Sequence, residues 1–162
     1  MFIFSFEKRK GYKLAAIFVS ALFLVSLCLF IAFERHDAVK GYATADEVGR
    51  YVTEAPDTEG RLGFLSQFGI EAEPDSEVCD SVVIPKAFDD TYNDYNSLQK
   101  GIGLELEPFR GESVSRFTYR IKDSRYRVTL LCFKAHVIAG HISSGVYGER
   151  YLRLNSRYGK TG

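Results

Sequence analysis

Ser97-Leu-Gln-Lys100 and Lys160-Thr-Gly162 carry the spacing of a serine acyl-transfer site, in which a lysine three residues on activates the serine hydroxyl. That chemistry needs a large two-part scaffold with the K-T-G triplet on a central strand beside the nucleophile. No S-D-N triplet accompanies the pair, and K-T-G occupies the last three positions of the 162 residues. The pattern therefore reads as a helix with an exposed Ser and Lys. His136 and His141 invite a metal. Five residues apart, they fall on opposite strand faces by parity, and no Cys or carboxylate cluster joins them. They read as turn and surface histidines. H-E-x-x-H, C-x-x-C, phosphate-loop and G-x-S-x-G patterns are missing from the sequence. No catalytic, cofactor-binding or metal-ligating residue is expected.

Cys79 and Cys132 both fall in expected strands. In an oxidising compartment a bridge between them is chemically permitted. It requires neighbouring strands with Cα atoms roughly 4.4–6.8 Å apart; otherwise both are buried, reduced thiols. The charge layout carries a further signal. The chain has 21 basic and 21 acidic residues, which argues against a general nucleic-acid binder. Residues 37–109 hold 5 basic and 16 acidic side chains, whereas residues 110–162 hold 11 basic and 3 acidic. Arg116, Arg120 and Lys122 share one strand face, with Arg125 and Arg127 at the next turn. They form a candidate binding stripe for an anionic cell-wall polymer, a lipid headgroup or an acidic protein. In the alternative reading, the acidic and basic halves neutralise one another within the fold.

The elements that must hold these residues follow in chain order. Thr44-Ala-Asp-Glu47 has the form of a capping box, predicting a short helix that ends before Pro56. A second helix is expected over residues 59–68, closed by Gly69. A strand at 78–84 ends at Pro85. Phe88, Tyr92, Tyr95, Leu98 and Ile102 make one helical stripe, which Gly101 and Gly103 terminate. From Ser113 the period becomes two. Strands at 113–122, 126–134 and 137–143 follow, with tight connections between them. Residues 147–154 fit a last strand or helix, and 155–162 a frayed tail. The fold class is α+β, with helices packed on one face of an antiparallel sheet.

Residues 14–33 contain no charge over 20 positions. As a helix they span roughly 30 Å, the thickness of the hydrocarbon layer. Lys8, Arg9, Lys10 and Lys13 precede them, so the positive-inside rule sets the N-terminus in the cytoplasm and the rest outside. The run exceeds the usual signal-peptide core of about 7–15 residues, which favours an uncleaved single-pass anchor. Cys28 within it is an apolar filler. The expected organisation is a cytoplasmic basic segment at 1–13, a transmembrane helix at 14–33 and a juxtamembrane segment with a short helix at 34–59. An extracytoplasmic domain follows at 60–154, and a tail at 155–162.

Val83-Ile-Pro-Lys86-Ala-Phe88, Tyr95-Asn-Ser-Leu-Gln-Lys100, Arg110-Gly111, Arg116-Phe-Thr-Tyr119 and Val137-Ile-Ala-Gly140 together resemble a family of short, membrane-anchored proteins from Firmicutes bacteria, catalogued as domain of unknown function 4830. The similarity covers about residues 60–144. It departs at Ala139-Gly140-His141, where Gly-Gly and an acidic residue are expected. The resemblance implies a bacterial cell-surface location and carries over no catalytic residue. The expected function is a single-pass membrane protein displaying a binding or regulatory domain in the cell envelope. The alternatives are an envelope hydrolase with an unrecognised site, or a structural subunit of a membrane complex.

Overall fold

The computed structural model describes residues 17–29, 39–146 and 148–157. The chain divides into two compact units, at the junction of Ala38 and Val39. In the first, residues 17–29 form helix α1, uncharged and with every described side chain exposed. No described helix is long and apolar enough to cross a membrane. The run expected to do so extends beyond α1 at both ends, where residues 14–16 and 30–33 lie outside the described residues.

The second unit opens with a hairpin rather than the helix expected from Thr44-x-x-Glu47. Strands β1 (Tyr42–Ala45) and β2 (Gly49–Val52) pair antiparallel, Ala43 opposite Tyr51 and Ala45 opposite Gly49. The connection is three residues long. Gly49 has a φ of 77°, the left-handed conformation that closes such loops, and Val48 N–H donates to Ala45 C=O. Of the Thr and Glu that suit a capping box, Thr44 therefore lies in β1 and Glu47 in the turn, and the inward set Ala43, Ala45 and Tyr51 follows a period of two. The segment expected to lie beside the membrane is thus part of the folded unit. Tyr51 is 2% exposed, and its hydroxyl donates to Ile102 C=O.

Helix α2 (Thr58–Ser66) starts on Asp57, whose carboxylate accepts from Gly60 N–H. It ends as expected, with Gly69 at a φ of 70° and Ile70 N–H bonded back to Leu65 C=O. Strands β3 (Val78–Val83), β4 (Ser113–Arg120), β5 (Arg127–Phe133) and β6 (His136–Ser143) form one antiparallel sheet in the order β3-β4-β5-β6. All four fall where the sequence periodicity places strands, within a few residues at each end. Helix α3 (Asp90–Lys100), capped by Asp89 on Tyr92 N–H, connects β3 to β4.

The helices do not share a face. Register sets Tyr119, Val128 and Ile142 on one side of the sheet, and Thr118, Thr129 and His141 on the other. Helix α2 meets the first side, through Arg61 on Tyr119. Helix α3 meets the second, through Tyr95 on His141. The main core, with Tyr51, Phe64, Leu65, Tyr119, Leu130 and Ile142, lies on the α2 side. The expectation of helices on one face fails because the middle of β5 is buried on both sides. Thr129 and Leu131, on the second face, are 6% exposed. Leu152 bridges to Ile142, and Leu154, 1% exposed, sits over Gly140. The stretch that fitted either strand or helix is thus a core plug held by one bridge.

Gly103 shows how tightly the end of α3 meets the hairpin. Its φ is 79°, and a Cβ there would lie 2.2 Å from the Thr44 carbonyl oxygen. Gly103→Ala combines left-handed strain with a backbone clash and is expected to cost at least about 2 kcal/mol. Gly145, with a φ of 76° and open space around it, is the control; its Ala variant is expected to lose about 1 kcal/mol. Urea denaturation of both variants checks the difference.

Candidate functional site

Helix α3 positions a ring cluster over the second face of the sheet. Tyr92 and Tyr95 lie one helical turn apart on the face turned toward β5 and β6. Tyr95 and the β6 residue His141 share a hydrogen bond of 2.9 Å between the phenol and Nδ1. Tyr151 returns from beyond β6 to complete the set. Its ring centroid is 4.0 Å from that of His141 and 5.8 Å from that of Tyr95. Together with Ile84, Thr91, Arg116 and Leu131 these side chains line a cavity of about 220 Å³.

The cavity is apolar-walled, with a few polar groups at set points. Burial, reinforced by the nearby Arg116 guanidinium, pushes His141 down from its usual 6.5 to about 4. The imidazole is therefore neutral at physiological pH. Burial raises the Tyr95 phenol well above its usual value, so it too stays neutral. Arg116 supplies the one formal charge of the lining. It is held from the other side by Asp80, with Nε donating to Oδ1 at 2.8 Å and Nη2 to Oδ2. This bond, with the positive charge behind it, keeps the Asp80 carboxyl below the usual carboxylate range. The arrangement offers stacking surface, neutral hydroxyl and imidazole groups, and an ion pair at the rim. The His141 imidazole is engaged by the Tyr95 phenol.

Sequence parity alone sets His141 on the surface and on the face opposite His136; the structure corrects both points. A register shift between Leu131 and Cys132 leaves Ile138 as an extra residue in β6. That insertion reverses parity. Both histidines then lie on the face toward α3, His136 near the start of β6 and His141 inside the cavity. Among the described residues no three His, Cys, Asp or Glu side chains gather as a metal site.

The basic stripe is largely matched within the chain. Residues 71–73 run antiparallel beside residues 120–122, with Lys122 N–H on Glu71 C=O and Glu73 N–H on Arg120 C=O. This brings Arg120 to Glu73 at 2.8 Å and Lys122 to Glu71 at 3.8 Å, while β3 brings Asp80 to Arg116. Three acids of the first half thus meet three bases of the second, one pair across β3–β4 and two where residues 71–73 run beside 120–122. Arg125 stacks on Tyr126, and Arg127 lies directly across from Arg120. These two at the β4–β5 turn make no ion pair among the described residues. Ser97 and Lys100 sit on α3. The Ser97 hydroxyl donates to Asn93 C=O and Lys100 pairs with Glu105 and Glu107, so the two do not engage one another.

Cys79 and Cys132 are free. Cys79 is opposite Phe117 and Cys132 opposite Ser115, so β4 separates their strands and a bridge cannot close. Cys79 is exposed, correcting the expectation of two buried thiols. Cys132 is buried, and burial pushes its thiol up to about 12. A second polar cluster escapes sequence reasoning entirely. Arg61, 6% exposed on α2, donates to the Tyr119 hydroxyl at 2.8 Å and to Glu77. Its guanidinium also stacks on Phe117 with 3.7 Å to the ring centroid. Tyr119 donates to Glu77 as well. Burial raises the Glu77 carboxyl, but these donors outweigh it and hold the group below its usual value. The cluster joins α2 to the sheet.

The architecture is that of a small α+β domain built on antiparallel sheets. A family model described as "Domain of unknown function (DUF4830)" matches residues 64–139, the family to which the sequence motifs also point. The matched stretch runs from the last turn of α2 into β6 and includes most of the cavity lining. No curated protein and no solved structure matches the chain.

Two measurements test this chemistry. Unfolded His141 takes a proton near pH 6.5, whereas the folded residue does so only near 4. Stability is thus expected to fall by roughly 2–3 kcal/mol as pH drops across that window. Glu77, depressed in the folded state, adds a further loss below its ordinary value of 4.5. His141→Gln should flatten the first limb and keep the second in pH-dependent urea denaturation. In a Cys28→Ser background a thiol reagent should label Cys79 at once and Cys132 only on unfolding; equal rates would contradict the burial of Cys132.

Proposed function

We propose that this chain is a non-enzymatic, single-pass membrane protein of the bacterial cell envelope, and that it holds a small binding domain outside the cytoplasm. The recognition site in this reading is the aromatic cavity between α3 and the sheet. The observation that carries it is the convergence of Tyr92, Tyr95, Tyr151 and neutral His141 around about 220 Å³ of space, with Arg116 at the rim. Apolar walls with a few placed polar groups are the usual make-up of a small-molecule site. A ring-shaped ligand with an apolar face and hydroxyl groups fits these walls. An anionic substituent would meet Arg116.

The anchoring half of the proposal rests on the uncharged run at residues 14–33 and the basic residues before it. The described part, α1, is apolar on all sides, a composition that suits lipid or a protein interior rather than water. Binding of an anionic wall polymer, lipid headgroup or acidic protein along the whole basic stripe is the weaker reading. Arg116, Arg120 and Lys122 already face Asp80, Glu73 and Glu71.

A reporter that is active only outside the cytoplasm, fused after Phe33, should be active; activity confined to the cytoplasm would refute the topology. For the site, the full chain in micelles is titrated with soluble saccharides and small aromatic compounds derived from the cell envelope. Tyr151→Ala is expected to weaken any ligand about tenfold, the value of one lost aromatic contact. If binding survives that change but is lost in the Arg125→Gln/Arg127→Gln variant, the cavity reading fails and the basic turn takes its place.

A further inference from the structure

The two edges of the four-stranded sheet are treated in opposite ways. Along β6 several outward backbone groups find partners. Val137 N–H donates to Thr53 C=O, Ala135 C=O accepts from Ala55 N–H, Gly140 N–H donates to Gln99 Oε1, and Ile142 exchanges bonds with Leu152. The small sheet is protected likewise, for the Gln67 amide bonds both backbone groups of Val52. Nothing comparable covers β3 among the described residues. Five of its six residues are exposed, and Val78 and Val83 are each 63% exposed. The strand contains no Pro, no Lys and no bulge, the devices with which folded proteins blunt an open edge.

The direction of its free groups follows from the ladder. Ile84 N–H donates to Glu112 C=O. By antiparallel alternation Val78, Asp80 and Val82 turn their backbone groups toward β4. Cys79, Ser81 and Val83 therefore turn theirs outward.

We propose that β3 pairs antiparallel with β3 of a second copy of this chain, about a two-fold axis at Ser81, joining two four-stranded sheets into one of eight strands. The strand is complementary to itself in that register. Ser81 meets Ser81, Cys79 meets Val83 and Asp80 meets Val82, each of the last two pairs occurring twice. Val78 reaches Ile84, so both exposed valines gain apolar neighbours. The strand's single charge is already matched by Arg116 of its own chain, and the seam carries no net charge. Centring the axis one residue earlier would set the two Asp80 carboxylates face to face, which is unfavourable. The Ser81 register avoids this and pairs the whole of β3. A closed two-fold contact is also the commonest way for identical chains to associate.

The test uses the full chain in detergent micelles and in its own membranes. In a Cys28→Ser/Cys79→Ser background, Ser81→Cys places two thiols at an axial pair whose Cα atoms lie about 5.5 Å apart, within disulfide reach. Mild oxidation should convert most of the protein to a covalent dimer. Ser115→Cys, one strand inward, in that background with Cys132→Ala added to remove its cross-strand thiol, should not crosslink. Ser81→Pro deletes only an outward N–H and should convert the dimer to monomer in sedimentation, with circular dichroism unchanged. Val83→Lys should do the same without altering the backbone. A wild-type chain that sediments as a monomer, together with a Ser81→Cys variant that gives no crosslinked dimer in membranes, would overturn the proposal. So would an adduct between the Ser81→Cys variant and a different protein, or a native Cys79–Cys79 bridge, which demands another register.

Discussion

The side-chain amide of Gln99, wholly buried, accepts the backbone N–H of Gly140 at 2.9 Å, and much of the domain is arranged around that contact. Strand β6 is the edge of the sheet, and its outward groups lie under other chain segments rather than in water. Each needs a protein partner, because an unpaired buried amide costs about 1–3 kcal/mol. Gln99 meets this need in the middle of the strand, and by doing so fixes the height of α3 along β6. Residues 53–55 meet it at one end and Leu152 at the other. The hairpin, α3 and the last described segment are thus all drawn to one edge by the same demand.

The cavity follows from that placement. With Gln99 pinned to Gly140, Tyr95, four residues earlier, comes over His141, the next residue of β6. Asn96 secures the far side, its Oδ1 accepting Leu106 N–H and its Nδ2 donating to Glu107. The helix is therefore docked through amides on the side toward the edge, and the tyrosines are left to line space rather than fill it. An apolar docking face would have closed the gap.

Strand content was legible because the alternation from Ser113 onward and the turn residues are local signals. The charge neutralisation was legible as an option, since acids and bases are segregated along the chain; the three pairs Asp80–Arg116, Glu73–Arg120 and Glu71–Lys122 are its realised part. The hairpin at Tyr42–Val52 was not legible. Thr44-Ala-Asp-Glu47 satisfies the chemistry of a helix start, and only Gly49 in a left-handed conformation decides for the turn. The face assignment of His141 failed because one inserted residue, Ile138, reverses parity, and a bulge leaves no mark in composition. The roles of Asn96, Gln99 and Arg61 were hidden for a related reason. A polar residue next to an apolar stripe looks solvent-facing until a distant backbone group, here Leu106 or Gly140, needs it.

Leu154 carries one further consequence. It rests on Gly140 and Leu130 and seals the core from a position well past the last strand. A ribosome must therefore deliver residue 154 beyond its exit tunnel before the β5–β6 surface gains this cover. The stretch matched by the family, residues 64–139, stops short of this cover and omits the Tyr42–Val52 hairpin. The compact unit that begins at Val39 is thus larger than the stretch the family model matches.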